Sequence, residues 1–503
     1  MALAHSDFPH WFAAPPILHA PAFDPAATFP EFHNQLQQHQ HTDGSGASRL
    51  LPLITALAAM GLRQLPQQRR QPLAQGGPWT QPRVAAPPPL RTLYQWRQVD
   101  FDFPSELARQ QMAASGRYVR RNALPLGLDV YGDRIFVSVP RWKDGIPATL
   151  ATIPRDPAKA GSQSPALRPY PSWDWHGRED CVGLTSVYRM HVDPCGRLWV
   201  LDSGVTNAID KIRQQCAAQI FLFDLRTDQL IMRHVIPSDQ YKEGSLLSNI
   251  VSDVRDGQCE DAFAYATDVW GFSVIVFSLR ERRSWSVSHP YFYPDPLAAR
   301  YQLHGVSFRW TDGVFGLSLS PAHSGTGDRT LFFHPMSSFR EFAVLSSILR
   351  NETAAKSSDD EFHLLEEPRG LKDAHASASA MDRRGVMFYN LVTRDAVGCW
   401  NSAQPHGYRM SLQGIVAQDN VTLIFPNDLK VDHELRQNLW VLSNRLPLFL
   451  YRELDPNDIN FRIMTGSTDE LVRGTVCDPD ITLIPGQGAL SPRNQFCPAN
   501  EVR

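Results

Sequence analysis

The sequence predicts an all-β fold, a six-bladed β-propeller that follows a disordered N-terminal extension. From about residue 91 onward, short apolar runs are bounded by Gly, Asp, Asn and Pro, and long helical periodicity is nearly absent. Six runs share one plan, in which a turn with a charged residue or Gly leads into a β-prone stretch. Their starts lie about 50 to 70 residues apart, enough for a four-stranded blade with its loops. The six runs are 133–139 (DRIFVSV), 196–202 (GRLWVLD), 262–268 (AFAYATD), 313–318 (GVFGLS), 385–392 (GVMFYNLV) and 438–444 (NLWVLSN).

Most of these runs are followed by a further predicted strand, which bears on the choice between a propeller and an array of β-sandwiches. The stretches 219–224 (QIFLFD), 273–278 (SVIVFS) and 448–452 (LFLYR) are each predicted as the next strand of a blade. Several runs are apolar on both faces, as expected for strands stacked between neighbouring blades. Sandwich domains would need separate cores with linkers between them, and only 351–360 has a loop-like composition. Two short helices are predicted, at 105–115 and 338–349.

Residues 1–90 are predicted to be a disordered, low-complexity extension. They are rich in Pro, Gln, His and Ala, and such a stretch buries too little apolar surface to offset its chain entropy. The exception is 50–62 (LLPLITALAAMGL), which is too short to span a bilayer but has the length of a signal-peptide core. It is interpreted either as a displaced secretory signal or as an amphipathic helix on the folded domain. Residues 91–480 are predicted to form the propeller, and 481–503 a flexible tail.

Composition and charge exclude several classes of partner. A hydrophobic fraction of 43% and a charged fraction of 20% are those of a globular, core-forming chain. The formal net charge of −3 offers no basic footprint for nucleic acid or anionic lipid, so neither partner is expected, and no membrane span is predicted. The oligomeric state has no sequence signal.

Cysteines and glycosylation acceptors indicate export. Seven cysteines lie in the C-terminal two-thirds, without a CxxC pair or zinc-ligand spacing to histidine, so no metal site is expected. Asn351 and Asn420 each begin an N-x-T acceptor sequence, which agrees with a secretory route. An extracellular protein is therefore predicted.

Catalytic and cofactor motifs are missing from the sequence. There is no GxSxG, HExxH or Walker sequence, and no cofactor is predicted. Four polar residues are predicted to end strands of the blades, where their side chains reach either turn amides or a central channel. These residues are Asp202, Asp268, Asp312 and Asn444.

A series of motifs, in order along 91–480, resembles the Yellow and major royal jelly protein family. The most specific of them is 140–150 (PRWKDGIPATL). The resemblance is closer to the insect Yellow proteins than to the royal jelly nutrient proteins, and it implies the same six-bladed propeller. The other motifs are 96–101 (WRQVDF), 122–125 (NALP), 133–137 (DRIFV), 197–204 (RLWVLDSG), 293–297 (YPDPL), 329–335 (RTLFFHP), 394–400 (RDAVGCW), 425–430 (FPNDLK) and 460–463 (NFRI).

The resemblance also implies a disulfide pattern. Carried over from family members, the pairs are Cys181 with Cys216, Cys195 with Cys259, and Cys399 with Cys477, which leaves Cys497 free. The last bridge would link the fifth blade to the C-terminal segment and help to hold the ring closed.

A small-molecule site at one mouth of the central channel is a further implication of the resemblance. Salivary relatives resemble binders of biogenic amines, and the matching region, 374–392, gives Ser377 and Asn390 as polar contacts. Phe388 and Tyr389 alternate on one strand, so one of them is expected to face the channel. Asp202 and Asp268 are candidates for holding the ammonium group.

Three functions follow from the resemblance. The first is a secreted, non-catalytic protein of cuticle or egg-covering pigmentation that binds an aromatic amine or a melanin precursor. The second is a dopachrome tautomerase, although no acid–base pair for it is evident in the sequence. The third is a secreted nutrient, salivary or structural protein without a small-molecule role.

Overall fold

The structure, a computed structural model, describes residues 90–178, 180–209, 211–255, 257–482 and 491–492. The predicted N-terminal extension before Leu90, the signal-like segment 50–62, Cys497 and most of the predicted tail lie outside the described residues.

Six four-stranded antiparallel sheets form the blades of a β-propeller. Each blade is numbered here in chain order, and its strands are given from the channel outward. Blade 1 consists of Gly127–Tyr131, Arg134–Ser138, Leu150–Pro154 and Arg168–Pro169; blade 2 of Val187–Val192, Arg197–Asp202, Gln219–Asp224 and Gln229–Val235; blade 3 of Leu247–Asp253, Phe263–Asp268, Ser273–Ser278 and Arg283–Ser288. Blade 4 consists of Val314–Leu319, Thr330–Pro335, Phe342–Leu345 and His363–Leu364; blade 5 of Ala376–Met381, Val386–Leu391, Ala396–Asn401 and Gln413–Gln418; blade 6 of Pro426–Val431, Asn438–Ser443, Phe461–Ser467 and Arg91–Trp96.

The ring closes within blade 6, which combines strands from opposite parts of the chain. Its outermost strand, Arg91–Trp96, pairs antiparallel with Phe461–Ser467, with Trp96 opposite Phe461. The innermost strands contact one another in cyclic order, and the innermost strand of blade 6 contacts the innermost strand of blade 1. The predicted six-bladed propeller is therefore confirmed.

The core lies between the blades, because both faces of a middle strand are covered. Along Arg197–Asp202 every residue is buried. Leu198 and Val200 pack in the apolar cluster shared with blade 1, whereas Trp199 and Leu201 pack in the cluster shared with blade 3. Since successive strand side chains point to opposite faces, one strand contributes to two cores.

Five of the six repeated runs lie on the second strand of their blades, and the sixth is an exception. The run at 313–318 lies on the innermost strand of blade 4, Val314–Leu319, and the second strand is Thr330–Pro335. The strand predicted at 448–452 is also wrong, because Leu446–Tyr451 is a helix. That helix begins with Pro447 in its first turn, where the missing N–H costs no hydrogen bond.

The helix predicted at 105–115 is confirmed as Glu106–Ala114, with the Ser105 hydroxyl accepting from the Ala108 N–H. The one predicted at 338–349 is mostly wrong, since Phe342–Leu345 is a strand and the helix is Ser346–Arg350. The other α-helices are Pro157–Ala160, Glu352–Ser357 and Thr468–Val472, and the short 3₁₀ turns are Arg120–Asn122, Trp173–Trp175, Ser238–Gln240, Cys259–Asp261, Pro290–Phe292, Pro296–Ala298, Asp359–Glu361 and Met410–Leu412. Short hairpins pair Val205–Thr206 with Arg213–Gln214, Arg300–Leu303 with Val306–Arg309, and Ile481–Thr482 with Ser491–Pro492.

Three disulfide bonds join the described cysteines in the pairs that the resemblance implies. They are Cys181–Cys216, Cys195–Cys259 and Cys399–Cys477. The third connects a strand of blade 5 to the segment that follows blade 6, so it fixes the chain close to the point where the ring closes.

Candidate functional site

Two cavities lie at opposite ends of the innermost strands. The first, of about 620 Å³ including solvent-open space, is lined by residues at or before the starts of these strands, such as Leu246 and Leu126. The second, of about 1450 Å³ on the same measure, is lined by residues at their ends, such as Val431 and Leu319. We call them the aromatic cavity and the polar cavity.

Aromatic side chains form much of the wall of the aromatic cavity. Two of them, Trp142 and Tyr188, lie with their ring centroids 5.9 Å apart. Trp310 is fixed by a residue outside the lining, because its Nε1 donates to the Tyr451 hydroxyl at 2.7 Å. The complete lining is Leu126, Trp142, Tyr188, Ala208, Ile209, Leu246, Ser248, Val269, Trp270, Trp310, Asp312, Phe315, Met336, Asn427, Leu446 and Leu450.

Asp312 is the acidic residue of this lining. It precedes the innermost strand of blade 4, and its Oδ1 accepts a hydrogen bond from Trp270 Nε1 at 3.2 Å. Burial raises the pKa of Asp312 to about 7, and the Trp270 hydrogen bond opposes part of that rise. Neither Lys, Arg nor His lines this cavity in the described part of the chain. Asp312 therefore exchanges a proton close to neutral pH, as a general acid or base must.

Two residues of this lining carry buried polar atoms without a partner in the part of the chain that the structure describes. Trp142 Nε1 and the Tyr188 hydroxyl have no hydrogen-bond partner among the described residues. Burial raises the pKa of Tyr188 well above 10, so its hydroxyl keeps its proton. Both atoms can donate to a carbonyl or phenol oxygen of a ligand, which would satisfy groups that are costly to bury unpaired.

A buried ion pair separates the aromatic cavity from the polar one. Arg189 Nη1 donates to Asp428 Oδ1 at 2.8 Å, and Arg189 Nη2 donates to Asn427 Oδ1 at 2.6 Å. Asn427 lines the aromatic cavity and Lys430 lines the polar cavity, so Asp428 lies between them on one strand. The Phe315 ring covers the guanidinium, with 4.8 Å from Cζ to the ring centroid.

The polar contacts implied by the resemblance lie between blades rather than in either cavity lining. The Ser377 hydroxyl donates to the Pro426 carbonyl at 2.9 Å. Asn390 is fully buried, and its amide atoms have no hydrogen-bond partner in the described part of the chain. Phe388 packs towards blade 6 and Tyr389 towards blade 4, so neither ring faces the channel. These residues lie on the first two strands of blade 5, and a ligand role for them stays a prediction.

Asp202 and Asp268 bind backbone amides at the starts of their own blades. Asp202 accepts from the N–H groups of Thr185 at 2.6 Å and Ser186 at 2.8 Å. Asp268 accepts from the Leu246 N–H at 3.1 Å and from the Ser245 hydroxyl at 2.5 Å. Burial raises the pKa of both carboxyls. Each side chain joins the loop before an innermost strand to the end of the second strand. Of the two roles considered from the sequence, turn amides or the central channel, this is binding to turn amides.

The tryptophans of the aromatic cavity were not singled out from the sequence. Trp142 and Trp270 each follow the second strand of a blade by a few residues, and Trp310 follows the Val306–Arg309 strand of a hairpin. A signal was available, because aromatic residues recurring in the loops at the same end of several blades converge on one mouth of the channel.

The two predicted glycosylation acceptors are exposed. Asn351 caps the helix Glu352–Ser357, where its Oδ1 accepts from the Ala354 N–H, and Asn420 lies in a turn after blade 5. Among the described residues no helix is long and apolar enough to cross a membrane.

Comparison with known proteins identifies relatives of this chain by sequence. Residues 185–477 match the family model described as major royal jelly protein. The chain is 43% identical over 401 residues to dopaminechrome tautomerase of Drosophila melanogaster, covering 78% of this chain and 85% of that protein. It is 42% identical over 412 residues to Protein yellow of Drosophila erecta, covering 80% and 74% of the two chains. Virginiamycin B lyase of Staphylococcus aureus aligns with a TM-score of 0.36 at 9% identity, covering 69% of this chain and 95% of the lyase.

Proposed function

Because the chain belongs to the Yellow and major royal jelly protein family, we propose that it is a secreted protein of melanin pigmentation that binds a catecholamine-derived aromatic compound. The aromatic cavity is the proposed site. The observation that carries the proposal is Asp312, a carboxyl group set among the tryptophans of that cavity.

The chemistry of the cavity matches an aromatic amine. Indole and phenol rings such as those of Trp142 and Tyr188 stack on an aromatic ligand, and their faces attract a cationic amine. The Asp312 carboxylate supplies the charge partner that an ammonium group requires when it leaves water. The free donors of Trp142 and Tyr188 suit the ring oxygens of a catechol or quinone.

Secretion is supported by the cysteines and by the acceptor sites. Three disulfide bonds are typical of proteins that mature in an oxidising compartment. The exposed positions of Asn351 and Asn420 permit glycan attachment.

Titration calorimetry of the full chain with dopamine and with serotonin tests the binding proposal. Asp312→Asn should weaken binding of dopamine roughly tenfold, the loss expected for one charge-assisted hydrogen bond. Asp239→Asn is the matched control, because Asp239 is exposed and lies away from the cavity lining. Absence of binding heat with both amines, or equal weakening in the two variants, would contradict the proposal.

Tautomerisation of an aminochrome is a second candidate function, favoured by the pKa of Asp312. This carboxyl titrates near 7 and can take a proton from a ring carbon, while a quinone oxygen gains a proton, so the reaction needs no oxidant. Tyr188 lines the same cavity, and in this proposal its hydroxyl donates a hydrogen bond to that oxygen. The similarity to a protein named dopaminechrome tautomerase supports this candidate.

The loss of aminochrome colour measures this activity directly. The full chain should remove dopaminechrome faster than the spontaneous reaction, and heat-denatured protein should not. Asp312→Asn should lower the rate by about 10²- to 10⁴-fold, the usual contribution of one general base, and Asp239→Asn should leave it unchanged. Binding of dopamine without any turnover would leave only the first function.

A further inference from the structure

The polar cavity differs from the aromatic cavity in its charge. Its lining contains three Lys or Arg residues against one acidic residue, Asp382, in the described part of the chain, and burial lowers the pKa of its two histidines, which are therefore neutral at pH 7. Asp382 is bound within its own hairpin, where its Oδ1 accepts from the N–H groups of Arg384 at 2.9 Å and Val386 at 2.8 Å, and it can offset only one of these positive charges. The five basic residues are His191, Arg329, Arg383, Lys430 and His433.

Lys430 lies at the base of this cavity with only part of its charge compensated. Its Nζ is 3.1 Å from Asp428 Oδ1, the same oxygen that Arg189 Nη1 contacts at 2.8 Å. Two cations thus share one carboxylate. Asp129 is the other nearby acid, and burial raises its pKa to about 7, so it carries only a fraction of a negative charge at neutral pH. An excess of positive charge remains at the base of the cavity.

Arg383 adds a second cation at the rim. Its guanidinium donates to the carbonyl oxygens of His433 at 2.8 Å, Leu435 at 3.2 Å and Glu434. Carbonyl groups orient the guanidinium but do not neutralise it. The exposed Arg383 therefore presents a positioned charge beside the cavity.

His191 belongs to the same lining, and one of its ring nitrogens is held by Ser252. The Ser252 hydroxyl lies 2.8 Å and the Ser252 backbone N–H 3.3 Å from His191 Nδ1, so the ring is anchored through Nδ1. The ring lies perpendicular to that of His433, with centroids 6.3 Å apart.

Two serines of the lining carry hydroxyls that nothing else uses. Ser318 is 2% exposed and Ser379 is 6% exposed. Among the described residues their Oγ atoms have no hydrogen-bond partner. Buried hydroxyl groups normally find a partner, so these two indicate a group that the protein itself does not provide.

We propose that the polar cavity binds a small anion, through a carboxylate or phosphate group held by Lys430, Arg383 and His191. The hydroxyls of Ser318 and Ser379 complete the donor set. Such a site would be separate from the aromatic cavity, because the pair of Arg189 and Asp428 lies between them, and it does not depend on the function proposed for that cavity.

Titration calorimetry with inorganic phosphate and with citrate tests the proposal on the full chain and distinguishes the two anion chemistries. Lys430→Gln and Arg383→Gln should each weaken binding of the preferred anion roughly tenfold. Arg226→Gln is the matched control, because this exposed arginine pairs with Asp224 and is not part of the lining. Dopamine binding should be unaffected in all three variants.

If Lys430→Gln destabilises the fold, Arg383→Gln still tests anion binding, because Arg383 is exposed. The thermal midpoint of each variant shows whether it is folded. Absence of heat with both anions at millimolar concentration would overturn the proposal. Equal weakening in Arg226→Gln would overturn it as well, because it would show a general effect of net charge.

Discussion

Arg189 and Asp428 form an ion pair across the channel, with both side chains completely buried and 2.8 Å between Nη1 and Oδ1. They belong to the innermost strands of blades 2 and 6, and blade 1 lies between those blades. Asp428 Oδ2 also accepts from the Leu128 N–H of blade 1 at 2.9 Å. One carboxylate therefore connects three blades around the point of closure.

Replacing Arg189 with Met should destabilise the protein strongly. The substitution leaves Asp428 as a buried charge with a weaker partner, and breaking such a pair costs about 3–5 kcal/mol. The measurement is the midpoint of urea unfolding. Arg226→Met removes an exposed arginine of another ion pair and should leave the midpoint almost unchanged. Equal midpoints for the two variants would contradict a structural role for Arg189.

Gly316→Ala should also destabilise the fold, through His334. A Cβ at this position would lie 2.1 Å from His334 Cε1, and the ring cannot retreat because Glu341 and the Ser377 carbonyl hold its two nitrogens at 3.0 and 2.9 Å. The expected cost is about 2–4 kcal/mol.

Thermal unfolding of the Gly316→Ala variant measures this cost. Gly466→Ala is the control, because its added Cβ would meet only the Leu471 side chain at 3.2 Å or more. A variant at Gly316 as stable as the one at Gly466 would show that the His334 ring has room to move.

Removing the disulfide between Cys399 and Cys477, by changing both to Ala, should cost about 4 kcal/mol. The bond closes a loop with a sequence separation of 78 residues and restricts the unfolded chain accordingly. Calorimetric unfolding of the double variant measures the loss. A melting temperature that stays at the wild-type value would mean that the packing of blade 6 alone fixes this segment.

Asp312→Asn should change how stability depends on pH. The folded pKa of Asp312 is about 7 and the unfolded value is 3.8, so the folded protein binds more protons between these pH values. The contribution of Asp312 to stability therefore falls as pH rises from about 4 to 7. The Asn variant should be the more stable protein at pH 8, by about 2 kcal/mol.

Thermal midpoints across this pH range measure the effect. The two proteins should have similar midpoints near pH 4 and diverge above it. Asp239→Asn should follow the wild type at every pH. A constant difference between Asp312→Asn and wild type would show that the carboxyl group is not titrating near 7.

The strands were predictable from the sequence because each one is marked by its own run of apolar, β-prone residues. Runs such as Arg197–Asp202 are apolar and β-prone by themselves, and both faces are buried whichever blade they join. The run at 313–318 lies on an innermost strand, whereas the other five runs lie on second strands. The sequence pattern does not distinguish the two, because innermost and second strands have the same local character. At 448–452, the Pro447 at the start of the helix was a local sign that the strand prediction overlooked.

The aromatic cavity could not be predicted in the same way, since it depends on contacts between distant loops. Trp142, Trp270 and Trp310 come from separate parts of the ring and meet only when six blades are in place. Asp312 is predicted to end a strand, whereas it precedes the innermost strand of blade 4, and its raised pKa is a consequence of burial in the assembled cavity. The residues that neighbour Asp312 in the sequence do not indicate that burial.

The strand Arg91–Trp96 has a consequence for biosynthesis. A ribosome delivers it before any other strand of the ring, yet its partner, Phe461–Ser467, is delivered after all five other blades. During translation it therefore waits as an unpaired edge, which is the kind of segment that chaperones cover and that aggregates if left free. The ring can close only after Phe461–Ser467 has been synthesised, and a chain truncated before that strand would leave Arg91–Trp96 without its partner.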